Sequence, residues 1–323
     1  MSVLRVALVG AGSMGTLHAR VIAESTGATL VQVVDPDPIR GGALAAAHGA
    51  VWTPEGPLDD CDAVVVAAPT EHHLAWAQQA IAARLPVLVE KPLSAHPLEA
   101  AAMIDAADAA DVPLMCGFLE RFNPAVRTAL SVVPEPVHLH AVRHSPYHQR
   151  IKVGVSHDML IHDVDLVVRL AGMPSTVAAG LIVHHEKSDA DAEDAVEAVL
   201  GYPSMLAALS ASRLSQTKVR RLSLAGQEQL AEVDLVMGTV TVYRHVLAEF
   251  VAGGDRTYRQ QTVVDVPFIR KPAEPLAAQF AHFLALARGE ADAAAERATL
   301  LAPHMLVARI LDSARRPEPA PVV

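Results

Sequence analysis

Asp158 and His162 stand four residues apart in Ser156-His157-Asp158-Met159-Leu160-Ile161-His162-Asp163-Val164-Asp165. In a helix that spacing sets an acid and an imidazole on one face, and Asp165 at i+7 joins them. A carboxylate one turn from a histidine can hold the ring and tune it near its working pKa, which equips it for proton transfer. Ser156 is placed to cap the helix, and Asp158 to sit in its first turn, where the helix dipole favours a carboxylate. Leu160, Val164, Val167 and Val168 supply apolar surface, and Gly172 and Pro174 end the pattern. On the residues alone, a structural His–Asp pair and a metal site stay open as alternatives. A metal site would need further ligands at coordinated spacing, and pairs such as His184-His185 do not provide them, so no metal is expected.

A second candidate is Lys91, in Val87-Leu88-Val89-Glu90-Lys91-Pro92. It falls at the carboxyl end of a buried strand, the edge where open α/β sheets bind ligands. Taken alone it reads more readily as a solvated strand-end lysine. The third is Val6-Ala7-Leu8-Val9-Gly10-Ala11-Gly12-Ser13-Met14-Gly15, a strand entering Gly-x-Gly-x-x-Gly and then a helix. Gly10 permits the tight turn, Gly12 the close approach of backbone to a pyrophosphate, and Gly15 the packing of helix on strand. Asp35 follows about twenty residues later at the end of the next strand, the context that marks a dinucleotide site. Its carboxylate suits adenosine ribose hydroxyls and repels a 2′-phosphate. In Asp35-Pro36-Asp37-Pro38-Ile39-Arg40 no arginine adjoins it, so NAD is expected over NADP, with Arg40 near enough to swing in.

These groups need a scaffold. The chain has 323 residues, a prior for two domains at roughly 150 residues each. At 51% hydrophobic and 19% charged it folds, and at 4% aromatic its core is Ala, Val and Leu. The first third alternates short β-branched runs with alanine-rich helical stretches, which predicts βαβ units and a parallel sheet. From about residue 137, alternating segments succeed one another with a single helix, 158–170, among them. They predict strands over 137–143, 177–184, 192–200, 205–214, 218–225, 229–234 and 239–246, an open, largely antiparallel sheet. Helices are predicted over 275–288 and 296–314, then a proline-rich, frayed tail from Arg316. The expected domains are 1–120 and 121–323. Net charge is −10 with no basic run, against nucleic-acid binding. Apolar runs such as Ala63 to Ala68 fall far short of the roughly 20 residues that cross a membrane. Two cysteines, Cys61 and Cys116, and no leader pattern before the first strand make a reduced, cytoplasmic protein the expectation.

Taken together, these motifs resemble the glucose-fructose oxidoreductase / inositol dehydrogenase (Gfo/Idh/MocA) family. The resemblance rests on the glycine loop, Asp35-Pro36, Ala68-Pro69-Thr70 with His72-His73, Glu90-Lys91-Pro92, Asp158 to His162, and the Pro275-Leu276 helix with Phe280 and Phe283. It implies an N-terminal Rossmann domain and a C-terminal α+β domain whose sheet builds homodimers or homotetramers. It implies cofactor contacts at Gly10, Gly12, Ser13, Met14, Gly15, Asp35, Ala68, Pro69, Thr70, His73, Glu90 and Lys91. It maps the family's lysine onto Lys91 and its acid–histidine pair onto Asp158 and His162. The implied reaction moves a hydride between nicotinamide and a secondary alcohol of a sugar-type substrate. His162 then serves as base, Lys91 stabilises the alkoxide and Asp158 orients. Glu120 to Ala125 with Asp158 to Asp165 look most like the branch that includes UDP-N-acetylglucosamine 3-dehydrogenases. On that reading Arg121, Asn123, Arg143 and Arg150 join the substrate site, the last two at a diphosphate. An inositol or free-sugar dehydrogenase is the alternative. A non-catalytic NAD-binding sensor or scaffold is the rival of another class.

Overall fold

A computed structural model describes residues 3–58, 60–148, 153–189, 192–252, 255–270 and 273–315. The chain divides into two units, Met1–Leu119 with Ala273–Ala308, and Glu120–Pro272 with Arg309–Val323.

The first unit holds a six-stranded sheet in the order β3-β2-β1-β4-β5-β6. Its strands are β1 (Leu4–Val9), β2 (Ala28–Val34), β3 (Val51–Thr53), β4 (Ala63–Val66), β5 (Val87–Val89) and β6 (Leu114–Cys116), and every neighbouring pair is parallel. Helices α1 (Ser13–Glu24), α2 (Pro38–His48), α3 (His73–Ala82) and α4 (Pro97–Ala110) alternate with them. Central strands covered on both faces need continuous apolar runs, and Ala63-Val64-Val65-Val66 is fully buried. The order is that of a doubly wound dinucleotide fold, reversing between β1 and β4. Strand β3 was not anticipated, because Val51–Thr53 is exposed to half-buried and offers no continuous apolar run like that of β5. The chain returns to this unit from Ala273 to Ala308. Helices α7 (Pro275–Ala287) and α8 (Ala293–Ala298), and α9 (Leu301–Arg315) as far as Ala308, belong to it rather than to the second unit. The tail from Arg316 lies outside the described residues.

The second unit is built on an eight-stranded sheet, β14-β13-β12-β11-β7-β10-β9-β8. Its strands are β7 (His138–His144), β8 (Thr176–Ile182), β9 (Ala195–Gly201), β10 (Leu206–Ser212), β11 (Val219–Ala225), β12 (Gln229–Asp234), β13 (Thr239–Ala252) and β14 (Asp255–Asp265). Only β7 and β10 pair in parallel. Strand β14 escaped the sequence reading because Arg256, Arg259, Gln260 and Gln261 break any apolar alternation. Helices α5 (Pro124–Val132) and α6 (Ile161–Ala171) belong to this unit and contact strands of its sheet, α5 at β11 to β13 and α6 at β10. Leu139, Ala141 and Arg143 of β7 are buried, while the opposite parity leaves His138 and His140 exposed.

Candidate active site

The carboxyl ends of β1, β2, β4 and β5 carry the expected cofactor groups. Gly10 has φ +96°, and a side chain there would lie 2.6 Å from the carbonyl oxygen of Ala67. A Cβ on Gly15 would lie 1.9 Å from the Gly10 carbonyl oxygen, so helix and strand touch through hydrogen atoms alone. Gly12 differs: nothing lies within 4 Å of a Cβ built there. It precedes α1 with no side-chain cap and no acid in the first turn, so the helix N-terminus keeps its N–H groups and its positive end for an anion. A dinucleotide's pyrophosphate fits this cradle.

Asp35 is buried at the end of β2. Its carboxylate accepts from the backbone N–H of Ala11 at 2.7 Å and of Asp37 at 2.9 Å, and Arg40 Nη2 donates to both its oxygens at 2.8 and 3.1 Å. Burial opposes its charge, but Arg40 and the two N–H groups outweigh that and hold Asp35 below the usual carboxylate range. The arginine five residues away in sequence is thus paired with Asp35 in space.

Lys91 is half-buried just beyond β5. Glu90 beside it is buried. His18 Nε2 lies 2.8 Å from Glu90 Oε1, and the Lys91 N–H donates to Glu90 Oε2 at 3.2 Å. Burial would raise the Glu90 pKa, yet the His18 hydrogen bond and the Lys91 charge leave it lowered. Gly117 makes room for it, since a Cβ there would sit 2.7 Å from Glu90 Oε2. The His73 ring spans two segments: Nδ1 is 2.8 Å from the Pro92 carbonyl and Nε2 is 2.9 Å from that of Ala68. It ties the end of β4 to the turn that carries Lys91. Ala68 and Thr70 are half-buried, and Pro69 and Ser13 exposed, at that same edge.

In the second unit the segment Ser156–Leu160 is a π-helical turn that runs on into α6, not the first turn of a regular α-helix. Ser156 is not its cap. Its hydroxyl is buried with no hydrogen-bond partner among the described residues, and the Ser156 N–H donates to Glu193 Oε1 at 2.8 Å. The expected single face shared by Asp158, His162 and Asp165 is therefore altered. Asp158 and His162 are half-buried, while Asp165 is buried.

Asp165 accepts from Arg121 Nε at 2.9 Å and Nη2 at 2.6 Å. Asp163 accepts from Arg143 Nε at 3.0 Å and Nη2 at 2.8 Å, and Arg143 Nη1 donates to Glu120 Oε1 at 3.0 Å. Asn123 Nδ2 donates to Glu120 Oε2 at 2.8 Å, and Asn123 Oδ1 caps α5 by accepting from the Ala125 N–H. Such two-pronged pairs fix orientation as well as distance. In α6, residues 163 and 165 point about 100° to one side of His162 and 60° to the other. Turning the helix either way breaks a fork, so the pairs lock the direction in which His162 points. This corrects the expectation for Arg143. At 1% exposed, with its donors on Asp163 and Glu120, it supports the helix rather than meeting a diphosphate. Burial lowers its pKa and the two carboxylates raise it, with a net rise. Arg121 and Asn123 are likewise engaged within the chain, and Arg150 lies outside the described residues.

The first unit's sequence matches the model described as "Oxidoreductase family, NAD-binding Rossmann fold" over residues 4–118. Residues 134–232 match the GFO/IDH/MocA C-terminal domain. The chain belongs to the GFO/IDH/MocA oxidoreductase family. This oxidoreductase is 30% identical to the UDP-N-acetylglucosamine 3-dehydrogenase of Acidithiobacillus ferrooxidans, over 74% of this chain and 77% of that one. It is 33% identical to an inositol 2-dehydrogenase of Leifsonia xyli, over 61% of each. A crystal structure of the Acidithiobacillus ferrooxidans enzyme superposes with a TM-score of 0.82 at 25% identity, covering 97% of this chain and 98% of that one.

Two features of this family member were missed in the sequence. Glu193 anchors the π turn, and a Cβ on Gly154 would lie 2.1 Å from its carboxylate, a contact that no local pattern shows. Asp194 accepts from the N–H groups of His184 and His185, from Ser188 Oγ and from Arg213 Nε, organising the loop before β9. A groove of about 820 Å³ in the second unit is lined by Val132 to Val137, Tyr202 to Met205 and Gly226 to Gln229, and by no expected site residue. Among the described residues no His, Cys, Asp or Glu cluster could hold a metal ion, and no helix is long and apolar enough to cross a membrane.

Proposed function

We propose that this oxidoreductase is an NAD-preferring dehydrogenase acting on a secondary alcohol of a sugar-type substrate, with a UDP-N-acetylhexosamine oxidised at position 3 as the first choice. The observation that carries the chemistry is the half-buried His162 on a helix held by two bidentate arginine forks, in a chain whose nucleotide-binding unit presents Lys91 at a strand's carboxyl end. NAD, when bound, supplies the hydride acceptor, and Gly12, Asp35 and the N-terminus of α1 would hold it. His162 takes the hydroxyl proton in oxidation and returns it in reduction. Lys91 places positive charge where an alkoxide develops, and Asp158 orients the imidazole or a neighbouring hydroxyl. The substrate follows from the 30%-identical UDP-N-acetylglucosamine 3-dehydrogenase, which aligns with 74% of this chain over 77% of its own length. Inositol is the second reading, supported by the inositol 2-dehydrogenase relative.

The test is a substrate panel of UDP-sugars, free sugars and inositols with NAD and NADP, followed by near-ultraviolet absorbance. Reduction of NAD by a UDP-N-acetylhexosamine is the expected result. No turnover with any member would leave the NAD-binding sensor as the better reading.

Cofactor choice hangs on one ion pair. NAD should have the lower Michaelis constant. Asp35→Ala should narrow the gap by about ten- to hundredfold, because it removes the carboxylate and releases Arg40 toward a 2′-phosphate. Arg40→Ala should weaken NADP without weakening NAD. A wild-type preference for NADP would refute the assignment.

The unit's open sheet face, with Val199 and Leu206 exposed on it, fits a homo-oligomer formed through that sheet. Light scattering of the purified chain should give a dimer or tetramer, and a monomer would count against it. A reduced, cytoplasmic setting is the reading for a chain whose two cysteines, Cys61 and Cys116, are too few for a disulfide framework.

A further inference from the structure

The antiparallel register of β7 and β11 sets Arg220 directly opposite Arg143. Both lie on the buried parity of their strands, Arg143 with Leu139 and Ala141, Arg220 with Leu222 and Leu224. Like charges directly opposite one another repel. Arg143 is neutralised by Asp163 and Glu120, Arg121 by Asp165, and Arg213 by Asp194. Arg220 has no such counterpart: among the described residues its half-buried side chain makes no hydrogen bond and no ion pair. Lys218 stands two residues earlier, just before β11, and is exposed. The charges of Arg220 and Arg143, together with burial, push its ammonium below the usual lysine range. Burial and Arg143 lower Arg220 in turn, while Glu120, Asp163 and Asp158 pull it the other way. Among the described residues the two cations thus stand without an ion-pair partner, within electrostatic reach of Glu120, Asp163 and Asp158, in a chain of net charge −10.

We propose that Arg220 and Lys218 form an anion-binding subsite beside Asp158 that takes a phosphate or diphosphate group of the substrate. The assignment rests on the reading that Asp158 and His162 face the reacting sugar. An arginine fork with a lysine point charge matches a multiply charged phosphate better than a single carboxylate, which one arginine would satisfy. The subsite replaces the one expected at Arg143.

The experiment compares the full-length wild type with Arg220→Gln and Lys218→Gln by calorimetric titration of UDP and, separately, of a hexose 1-phosphate. It also records thermal unfolding of each protein and Michaelis constants for UDP-N-acetylglucosamine and myo-inositol. UDP should bind the wild type and weaken about ten- to hundredfold in Arg220→Gln, with a smaller loss in Lys218→Gln. Added salt should weaken wild-type binding. The Michaelis constant for the UDP-sugar should rise relative to that for the polyol. Arg220→Gln should be no less heat-stable than the wild type, since it relieves repulsion with Arg143. Tight hexose 1-phosphate binding with weak UDP binding would keep the subsite and name a sugar phosphate as its ligand. Equal UDP and hexose phosphate affinity in wild type and variant would overturn the subsite, as would a large loss of stability in Arg220→Gln. The titrations need no turnover. If no substrate is oxidised but UDP binding depends on Arg220, the dehydrogenase reading fails and the subsite stands. If myo-inositol is oxidised and neither phosphate compound binds, the reverse holds.

Discussion

Lys91→Ala should cut turnover of the true substrate at least about a hundredfold, the low end for removing a positioned proton-transfer or electrostatic group. NAD should still bind with near wild-type affinity, because the glycine loop and Asp35 that would hold it are untouched. Lys91→Arg should recover only part of the loss, since a planar guanidinium does not reproduce a compact ammonium. The readouts are turnover on the panel's best substrate and NAD affinity by fluorescence or calorimetry. Near wild-type turnover in Lys91→Ala would make the lysine a strand-end surface residue. Lost NAD affinity would instead assign it to the cofactor or to the Glu90–His18 contact next to it.

The second large effect is on stability. Arg143→Ala should cost about 3–5 kcal/mol, the usual range when one partner of a buried ion pair is removed and the other charge is stranded. Two carboxylates, Asp163 and Glu120, are left behind. Denaturant unfolding at neutral pH measures the loss. Arg143→Lys keeps the charge without the fork and should lose less. A loss under about 1 kcal/mol would mean that the pairs do not hold α6. Because Asp163 follows His162 directly, the same variant should lower turnover at temperatures where it remains folded.

Much of this molecule was legible in its sequence. The glycine loop predicted a strand, a turn and a helix N-terminus, because only glycine fits a φ of +96° against the Ala67 carbonyl or the 1.9 Å approach at Gly15. Buried apolar runs gave the parallel sheet, and alternation gave seven of the eight strands in the second unit. What failed was long-range polar pairing. Arg143, Arg121 and Asn123 were legible as polar residues near a site. Whether a guanidinium faces substrate or its own chain depends on which carboxylate lies opposite, and Asp163 stands 20 residues from Arg143. One signal is local. Arg220 alternates with Leu222 and Leu224, so period-2 reading places a charge on the buried face of β11, where charges are rare unless paired or functional. The π turn was hidden for another reason: Ser156 and Asp158 suit a regular helix start, and the Glu193 carboxylate that accepts from the Ser156 N–H comes from another segment.

That π turn also acts as a phase adjuster. The chain before it is anchored by Glu193, through the N–H groups of Val155 and Ser156, and the helix after it by Arg121 and Arg143. Between two fixed ends, residue count translates into angle, about 100° for each residue of an α-helix. Removing one residue between Asp158 and His162 would let the backbone regain regular α-helical bonding. The core could stay intact, yet Asp158 would swing roughly a quarter turn around the axis relative to His162. Chain length between Asp158 and His162 is therefore a variable in its own right, one that no side-chain substitution reproduces. A homologous chain one residue shorter there would carry the same acid and the same histidine with a different mutual orientation.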